Sequence, residues 1–337
     1  MSSKLMDILE AELIGTPAQK AALKLADFNS ASLTNEEADR FINQVVDESA
    51  LLKAVRVHRT NSPSGDLSKL NITGPVTEKA TENTDSGNTY KPANAVVSYA
   101  TAKTRSAIDI TGEVQEDTIE GGGAQSTIMS AMISQIANDM EMLSIEGDTS
   151  IAGATASDRL LKSNNGWHTL TGSTSGVNRV DAGGLRASYR LFVEMMRAMP
   201  TKWARDLNKL RWVMSKKSEI DLSEEWGGRV TDLGDTLRQT GALPPILGVA
   251  PLVVTLLPTD LTIDGTSGDT GSFIWLMDPT NFIYVVQREL TVEWERVPRS
   301  DTDQGTVHMR TDFIIEEEDA IVKAYNVNTD TAVALYS

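Results

Sequence analysis

Apolar residues at helical spacing predict two helices near the N-terminus. The first covers residues 3–13 and ends before Gly15 and Pro17; its apolar face consists of Leu5, Ile8, Leu9 and Leu13. The second runs from Thr34 to about Leu52 and opens with a capping-box pattern of Thr34 and Glu37. Two such segments are too thin to enclose a core, so we expect both to pack on another part of the protein.

The strongest helical pattern covers residues 124–146. Its apolar residues recur at spacings of three and four: Met129, Met132, Ile133, Ile136, Met140 and Leu143. Three glycines precede it, and we interpret the following Gly147 as its C-cap. Because methionine fills irregular gaps well, the stripe predicts core packing and not a ligand site.

Between these helices, residues 55–110 have the pattern of a long hairpin. Alternating residues appear from Leu67 to Ile72 and again from Val96 to Ile110, on either side of a polar, turn-forming segment at 81–88. The stretch has few large apolar residues, and an isolated two-stranded hairpin is only marginally stable. We therefore expect it to be too polar to fold against its own core and to need a partner surface.

The C-terminal half alternates briefly between helix and strand and then becomes rich in strands. Residues 151–183 are rich in Gly, Ser, Thr and Asn, a helix is predicted from about Gly184 to Met199, and a further helical stretch reaches Arg238. Strands are predicted at 210–214, 252–257, 273–277, 282–287, 291–296, 307–315 and 320–327, with hairpin turns at 264–269 and 301–305. This mixture predicts an α+β fold.

The composition excludes several classes of function for this protein. The 337 residues suit two compact lobes with extensions, and the absence of cysteine excludes disulfides, thiolate metal sites and cysteine nucleophiles. The net charge of −16 disfavours sequence-specific binding of DNA. The longest apolar run, residues 246–258, is too short to cross a bilayer, and we expect no signal peptide, so synthesis in a reducing cytoplasm is predicted.

Charge is unevenly distributed along the chain. Residues 111–150 carry eight acidic and no basic side chains, whereas residues 51–110 carry more basic than acidic ones. Two readings stay open: two separately solvated faces, or one segment that docks on the other. The acidic run Glu316–Asp319 is interpreted as a solvated face, with a subunit contact as the alternative.

No pattern indicates catalysis. His58, His168 and His308 are far apart in sequence and lack metal-binding spacing, and neither a phosphate-binding loop nor a nucleophile elbow occurs. The sequence therefore predicts no catalytic residue, no metal ligand, no cofactor site and no enzyme. An α+β hydrolase with scattered carboxylates is the alternative from another class, and nothing in the spacing supports it.

The order of elements resembles the Hong Kong 97-type fold of tailed-phage major capsid proteins, from about Thr34 to Val327. Segments similar to that family are Thr77–Glu82 near the hairpin tip, Ala107–Asp117 before the long helix, Leu143–Asp148 at its end, Leu210–Ser215 and Ile246–Val254 as two strands, and Arg310–Phe313 with Ala320–Val322 as closing strands. The resemblance implies an N-terminal arm (1–54), an extended loop (55–104), a peripheral domain with a spine helix (105–183, closed by 300–337) and an axial domain (184–299).

The same resemblance implies a function. The chain would assemble with itself into hexamers and pentamers of an icosahedral head, made in the host bacterial cytoplasm and enclosing DNA without sequence-specific binding. A portal and a separate scaffolding protein would be partners, with little or nothing cleaved from this chain and no covalent crosslinking; whether a decoration protein joins them is left open. The runner-up is the shell protein of an encapsulin-type nanocompartment.

The resemblance also suggests which residues hold neighbours together. The family places the hairpin over an adjacent subunit near its spine helix, and opposite charges attract weakly at surfaces. The predicted interface pairs the basic set Lys79, Lys91, Lys103 and Arg105 with the acidic set Glu113, Glu116, Asp117 and Glu120. The competing reading leaves both sets solvated and assigns the contact to the apolar arm.

Overall fold

A computed structural model of the chain describes residues 49–71, 77, 79, 82, 93–111, 124–228, 243–263, 270–287, 291–299, 301–330, 333 and 335. The chain divides into two compact units: a smaller one of residues 1–45, 105–136 and 289–308, and a larger one of residues 46–104, 137–288 and 309–337. The predicted helix at 3–13, most of the helix at 34–52, residues 229–242 and the turn at 264–269 lie outside the described residues.

The described helices are α1 (Ala124–Glu146), α2 (Ala156–Leu161), α3 (Trp167–Leu170), α4 (Tyr189–Ala198) and α5 (Lys216–Gly227). The first strands are β1 (Arg56–Thr60), β2 (Ser64–Asn71), β3 (Ala93–Ala100), β4 (Ala102–Thr111), β5 (Asn178–Asp181) and β6 (Arg211–Met214). The remaining strands are β7 (Ala250–Val253), β8 (Leu261–Thr262), β9 (Thr270–Met277), β10 (Phe282–Gln287), β11 (Thr291–Val297), β12 (Thr302–Ile315) and β13 (Val322–Asn328).

One sheet of the larger unit has the order β5-β13-β9-β6-β7, with β8 paired to β9. Its central strand β9 is a nearly continuous apolar run, as expected for a strand covered on both faces. Helix α4 supplies Leu191, Phe192 and Met195 to the core on one face, and all three are fully buried with Trp212 of β6. This core combines residues of the segment 184–299 with Ala182 and with Val322, Ala324 and Val327 of β13.

The second sheet places β1 parallel to β10, and β10 antiparallel to β12. Its strand β10 is buried along its whole length. Residues 302–308 of β12 pair with β11 within the smaller unit, while residues 311–315 pair with β10 in the larger one. Trp167 of α3 stacks on Phe282 with ring centroids 4.6 Å apart and closes one face of this sheet.

The long central helix is confirmed at the predicted bounds, since α1 covers Ala124–Glu146. Its predicted apolar stripe is buried at Met132, Ile133, Ile136, Met140 and Leu143. The side chain of Met129 lies outside the described residues. The stripe is therefore core for the part of the helix whose side chains are described.

The role predicted for Gly147 needs correction. Gly147 does not adopt a left-handed conformation; its N–H continues the helical pattern to the Leu143 carbonyl at 3.0 Å. A Cβ there would lie 2.4 Å from the backbone oxygen of Asn164, and the Gly147 carbonyl accepts the N–H of Gly166 at 2.8 Å. Glycine is required because two backbones approach closely, and not because a C-cap needs positive φ.

The predicted helix at 184–199 begins later, at Tyr189. Gly183 and Gly184 have positive φ angles of 62° and 73°, which interrupt a helix, and Arg186 forms a β-bridge with Asn328. Ser188 then takes the extended N-cap conformation. The late start lets residues 185–188 run beside the end of β13.

Several strand limits also differ from prediction. The turn expected at 301–305 is wrong, because residues 302–305 belong to β12 and Thr302 pairs with Val297; Asp301, directly before this strand, has φ 49°. The strand expected at 252–257 is β7 at Ala250–Val253, paired in register with β6, and the last strand starts at Val322 after a short 3-10 helix at Glu318–Ala320. Residues Ser49–Leu52 form turns and not the end of a helix.

Candidate assembly interface

The hairpin predicted from alternation is present but shorter than expected at its base. β2 and β3 pair antiparallel from Ser64↔Ala100 to Asn71↔Ala93. The sequence assigned residues Arg56–Thr60 to the hairpin. They are instead β1 of the sheet that contains β10 and β12, called the main sheet below. Among the described residues, β2 and β3 pair only with each other, so this two-stranded ribbon keeps two unpaired outer edges.

The expectation that the hairpin is too polar to fold against its own core is wrong for the described part. Leu67 and Val97 pack against a buried cluster formed by Tyr99, Ile283, Val285 and Ile314. The Tyr99 hydroxyl lies 2.9 Å from the Thr60 hydroxyl, and a Cβ on Gly65 would come within 2.5 Å of the Tyr99 oxygen. The base of the hairpin, called the hairpin foot below and comprising residues 64–69 and 95–100, thus has its own packed support.

Charged groups reinforce the hairpin foot. Lys69 lies 3.0 Å from a carboxylate oxygen of Glu317 and donates a hydrogen bond to the Glu316 carbonyl. Arg56 of β1 forms an ion pair with Glu316 at 3.0 Å. At Glu316 and Glu317 the acidic run is therefore not a plain solvated face, because it holds Lys69 of the hairpin and Arg56 of β1 within the same chain. The alternative of a subunit contact stays a prediction.

Asp312 of β12 ties the foot to a second loop. Its carboxylate accepts the Ala100 N–H at 2.7 Å and the side-chain amide of Asn164 at 3.0 Å. Burial raises the pKa of Asp312, and these hydrogen bonds oppose the rise. Because both neighbours donate to the carboxylate, its ionised form holds the end of β3 next to the loop that follows α2.

The end of the N-terminal segment is fixed to α1. Glu141, a buried residue of α1, accepts the Ser49 hydroxyl at 2.9 Å and the Leu51 N–H at 3.2 Å. Leu51 and Leu52 are fully buried. Residues 49–52 are thus attached to α1 through both hydrogen bonds and apolar burial.

The predicted electrostatic interface is only partly visible. Lys79 and Lys103 are exposed in the larger unit, and Arg105 is exposed in the smaller one. Lys91 and the whole acidic set, Glu113, Glu116, Asp117 and Glu120, lie outside the described residues. The charge pairing therefore stays a prediction.

Sequence reasoning missed two buried charged clusters. Arg186 donates to the Oδ1 atom of Asp221 at 3.0 and 2.7 Å and also contacts Glu224, which ties α5 to the segment before α4. Lys323 of β13 is 2% exposed and contacts His168 and Thr171 around α3. Neither cluster has a local motif, because its cation lies more than thirty residues from each of its partners; no spacing signal could have revealed the contact.

Three further observations concern metal binding, the protonation of His168 and membrane-spanning helices. Among the residues that the structure describes, no group of three or more His, Asp or Glu side chains is arranged to hold a metal ion. His168 is buried beside cations, and burial, Lys323 and Arg179 lower its pKa to about 3, so it is a neutral structural ring at physiological pH. A search of the described helices finds none long and apolar enough to span a membrane.

Comparisons with solved structures show which fold this architecture has: the fold of phage capsid proteins. The chain matches a chain of the satellite phage P4 procapsid including size determination (Sid) protein with a TM-score of 0.68 and 12% identity. The match covers 100% of this chain and 100% of that one. The capsid of the native GTA particle matches with a TM-score of 0.57 and 15% identity, over 82% of this chain and 89% of that one. At such identities the likeness shows the fold alone.

A curated protein with a similar sequence is described as a prophage capsid protein. The chain is 28% identical over 315 residues to a Bacillus subtilis (strain 168) protein provisionally named prophage capsid protein YqbE, covering 91% of this chain and 97% of the relative. No protein-family model matches the chain. The resemblance to phage major capsid proteins seen in the sequence is thus confirmed.

An encapsulin, the alternative class of shell protein, also matches the chain in structure. The holo-SrpI encapsulin of Synechococcus elongatus PCC 7942 matches with a TM-score of 0.53 and 10% identity, over 85% of this chain and 90% of that one. Its score is below those of the P4 and GTA structures, and the sequence relative is a capsid protein. The capsid interpretation is therefore the better supported of the two.

Proposed function

We propose that the chain is the major capsid protein of a tailed bacteriophage, which assembles with itself into hexamers and pentamers of an icosahedral head around double-stranded DNA. The observation that carries the proposal is the two-stranded hairpin, which is braced at its foot by its own subunit but has no strand partner in the described part of the chain. Unpaired strand edges favour pairing or packing with another chain. A neighbouring copy is the partner that a closed shell supplies.

The bracing supports this role physically. A free hairpin would lose conformational entropy when it docks on a neighbour, which weakens the contact. Lys69, Tyr99 and Asp312 already hold the foot in one orientation before assembly. Preorganisation of this kind raises affinity without adding any contact to the interface.

The parts of the proposed Hong Kong 97-type subunit follow the sequence assignment: arm 1–54, extended loop 55–104, peripheral domain 105–183 with 300–337, and axial domain 184–299. In this scheme α1 is the spine helix, α4 belongs to the axial domain, and the core on α4 also takes in Val322 and Ala324 of β13. The attachment of Ser49 and Leu51 to Glu141 supports an arm that departs from the spine helix.

The electrostatic contact remains part of the proposal. Lys79, Lys91, Lys103 and Arg105 of one subunit would face Glu113, Glu116, Asp117 and Glu120 of the next. The exposure of Lys79, Lys103 and Arg105 is compatible with this arrangement. Each pair contributes roughly 0–1 kcal/mol and is weakened by salt, but the lattice repeats it at every subunit.

The remaining partners are inferred from the proposed role. A separate scaffolding protein, a portal and the packaged DNA would accompany the shell, with the chain made in the bacterial cytoplasm and residing in the virion. The role is structural and not enzymatic. The acidic net charge of −16 fits DNA that is enclosed without adhering to the wall.

A sharp test removes the hairpin tip and keeps the foot. Asn71 and Ala93 are direct partners across the ribbon, so residues 72–92 can be replaced by a two-residue Asn-Gly turn. We expect the wild-type chain, expressed with its scaffold, to form shells in electron micrographs, and the shortened chain to remain a folded small oligomer. Shells of the shortened chain as abundant as those of wild type would contradict the role of the hairpin.

The contents of the particles separate the two shell functions. A phage head should hold nuclease-protected DNA when purified from infected or induced cells, whereas an encapsulin-type compartment should hold a protein cargo. Absorbance and mass spectrometry of the same particles measure both. A consistent protein cargo without DNA would favour the compartment.

A further inference from the structure

A cavity of about 460 Å³ lies beside the buried Lys323 in the larger unit. Its lining includes Lys323, Arg179, His168 and Tyr325, together with Asp148. The volume exceeds that of several water molecules, each of which occupies about 30 Å³ in the liquid. It is therefore large enough for a small ligand and its remaining hydration.

The side chain of Lys323 is a buried cation without a counter-charge among the described residues. Its Nζ atom lies 3.0 Å from the His168 carbonyl, 3.2 Å from the His168 ring, and 3.1 and 3.4 Å from the hydroxyl and carbonyl of Thr171. All four of these atoms belong to neutral groups. Buried charges in proteins are normally paired, because an isolated one loses its hydration.

The described residues that line the cavity add one further cation, Arg179, and one carboxylate, Asp148. Arg179 holds its guanidinium 4.0 Å from the Tyr325 ring centroid and lines the same cavity, and it lowers the pKa of Lys323 further. Asp148, the one carboxylate in the lining, acts on His168, and its own oxygen accepts the Ser150 N–H at 2.8 Å. Among the described lining residues, no anion is therefore paired with Lys323 or Arg179.

We propose that this cavity binds an oxyanion, a carboxylate or a phosphate-type group, with Lys323 and Arg179 as its cationic partners. The weakest contact of Lys323, to the Thr171 carbonyl at 3.4 Å, can be given up when an oxyanion approaches. Two sources offer this chemistry: a free ion in solution, or an acidic side chain of a second copy of the chain, which carries 47 acidic residues. The proposal does not depend on the proposed capsid function.

The test uses sulfate, whose charge is constant between pH 6 and pH 8, titrated calorimetrically into the full chain at fixed ionic strength. Burial and Arg179 lower the pKa of Lys323 to about 7, so its amine is mostly charged at the lower pH and mostly neutral at the higher. The pKa of His168, lowered to about 3, keeps its ring neutral throughout, and the lowered pKa of Asp148 keeps its carboxylate charged. We expect sulfate to bind about tenfold more weakly at pH 8 than at pH 6.

Substitutions test whether sulfate binds in this cavity. Lys323→Met should abolish sulfate binding, while Lys217→Met, on the exposed face of α5, should leave it unchanged. Arg179→Gln, at an exposed position, should weaken binding at least threefold and keeps the test usable if Lys323→Met does not fold. Absence of binding to wild type at pH 6, or equal binding by Lys323→Met, would overturn the proposal.

Comparison of free subunits with assembled particles shows whether the oxyanion comes from solution or from a second copy of the chain. If assembly abolishes sulfate binding, an acidic side chain of a second copy occupies the cavity. If assembled particles bind sulfate as free subunits do, the natural ligand is a free oxyanion. Both results support the site and differ only in what fills it.

Discussion

Reversal of the charge on Lys69 should loosen the hairpin without unfolding the subunit. Lys69 is 22% exposed at its side chain, lies 3.0 Å from Glu317 and donates to the Glu316 carbonyl. Lys69→Glu removes one ion pair and one hydrogen bond, and it places a carboxylate near two others. The apolar contacts of Leu67 and Val97 remain.

The magnitude follows from the geometry. Two unit charges 3 Å apart attract by about 5 kcal/mol at an effective dielectric constant of 20, but measured exposed pairs contribute only about 0–1 kcal/mol after desolvation and entropy. A hydrogen bond adds about 1 kcal/mol, and like-charge repulsion about as much again. We expect the foot to open about 2 kcal/mol more easily, which corresponds to a roughly thirtyfold change in the opening equilibrium.

Hydrogen–deuterium exchange of the full chain measures this opening. Amides of β2 and β3 should exchange about thirtyfold faster in Lys69→Glu, while those of β9 should not change. Lys209→Glu is a matched control, since Lys209 pairs with Asp206 at 3.7 Å and both side chains are largely exposed. The double variant Lys69→Glu/Glu317→Lys should recover at least half of the lost protection.

Two outcomes would refute the reasoning. Unchanged exchange of β2 and β3 in Lys69→Glu would mean that the apolar contacts alone hold the foot. Acceleration that the Glu317→Lys change does not reduce would mean that the effect is local disruption and not the ion pair. Assembly of the same variants, followed by light scattering, then tests whether a braced foot matters for the shell.

Three further predictions concern the packed core. Gly147→Ala should lower the free energy of unfolding by about 3 kcal/mol in urea titrations, whereas Gly228→Ala, whose Cβ would meet nothing closer than 3.4 Å, should change it by less than about 0.5 kcal/mol. Arg186→Met should cost about 3–5 kcal/mol because Asp221 stays buried without its partner, and adding Asp221→Leu should restore part of it. Because the pKa of Lys323 falls from 10.5 unfolded to about 7 folded, the unfolded state binds the extra proton between these values; stability should therefore rise with pH from about 7 to 10.5, and Lys323→Met should flatten that rise in thermal unfolding.

Elements whose signal is local could be predicted from the sequence alone. Helix α1 has apolar residues at spacings of three and four, and its burial follows from that period whatever it packs against. The alternation of β2 and β3 likewise predicts a hairpin, and the apolar runs of β9 and β10 predict buried strands. The order of these elements was enough to indicate the capsid fold.

Contacts between groups that are distant in sequence could not be predicted, because they depend on how the whole chain folds. Arg56–Thr60 became a strand of the main sheet because β10, more than two hundred residues later, offers a parallel edge. The acidic residues Glu316 and Glu317 hold the hairpin foot, and Lys323 faces α3, through contacts that leave no periodicity in the sequence. Burial and charge at these places depend on what long-range folding brings together, so no local pattern could have contained them.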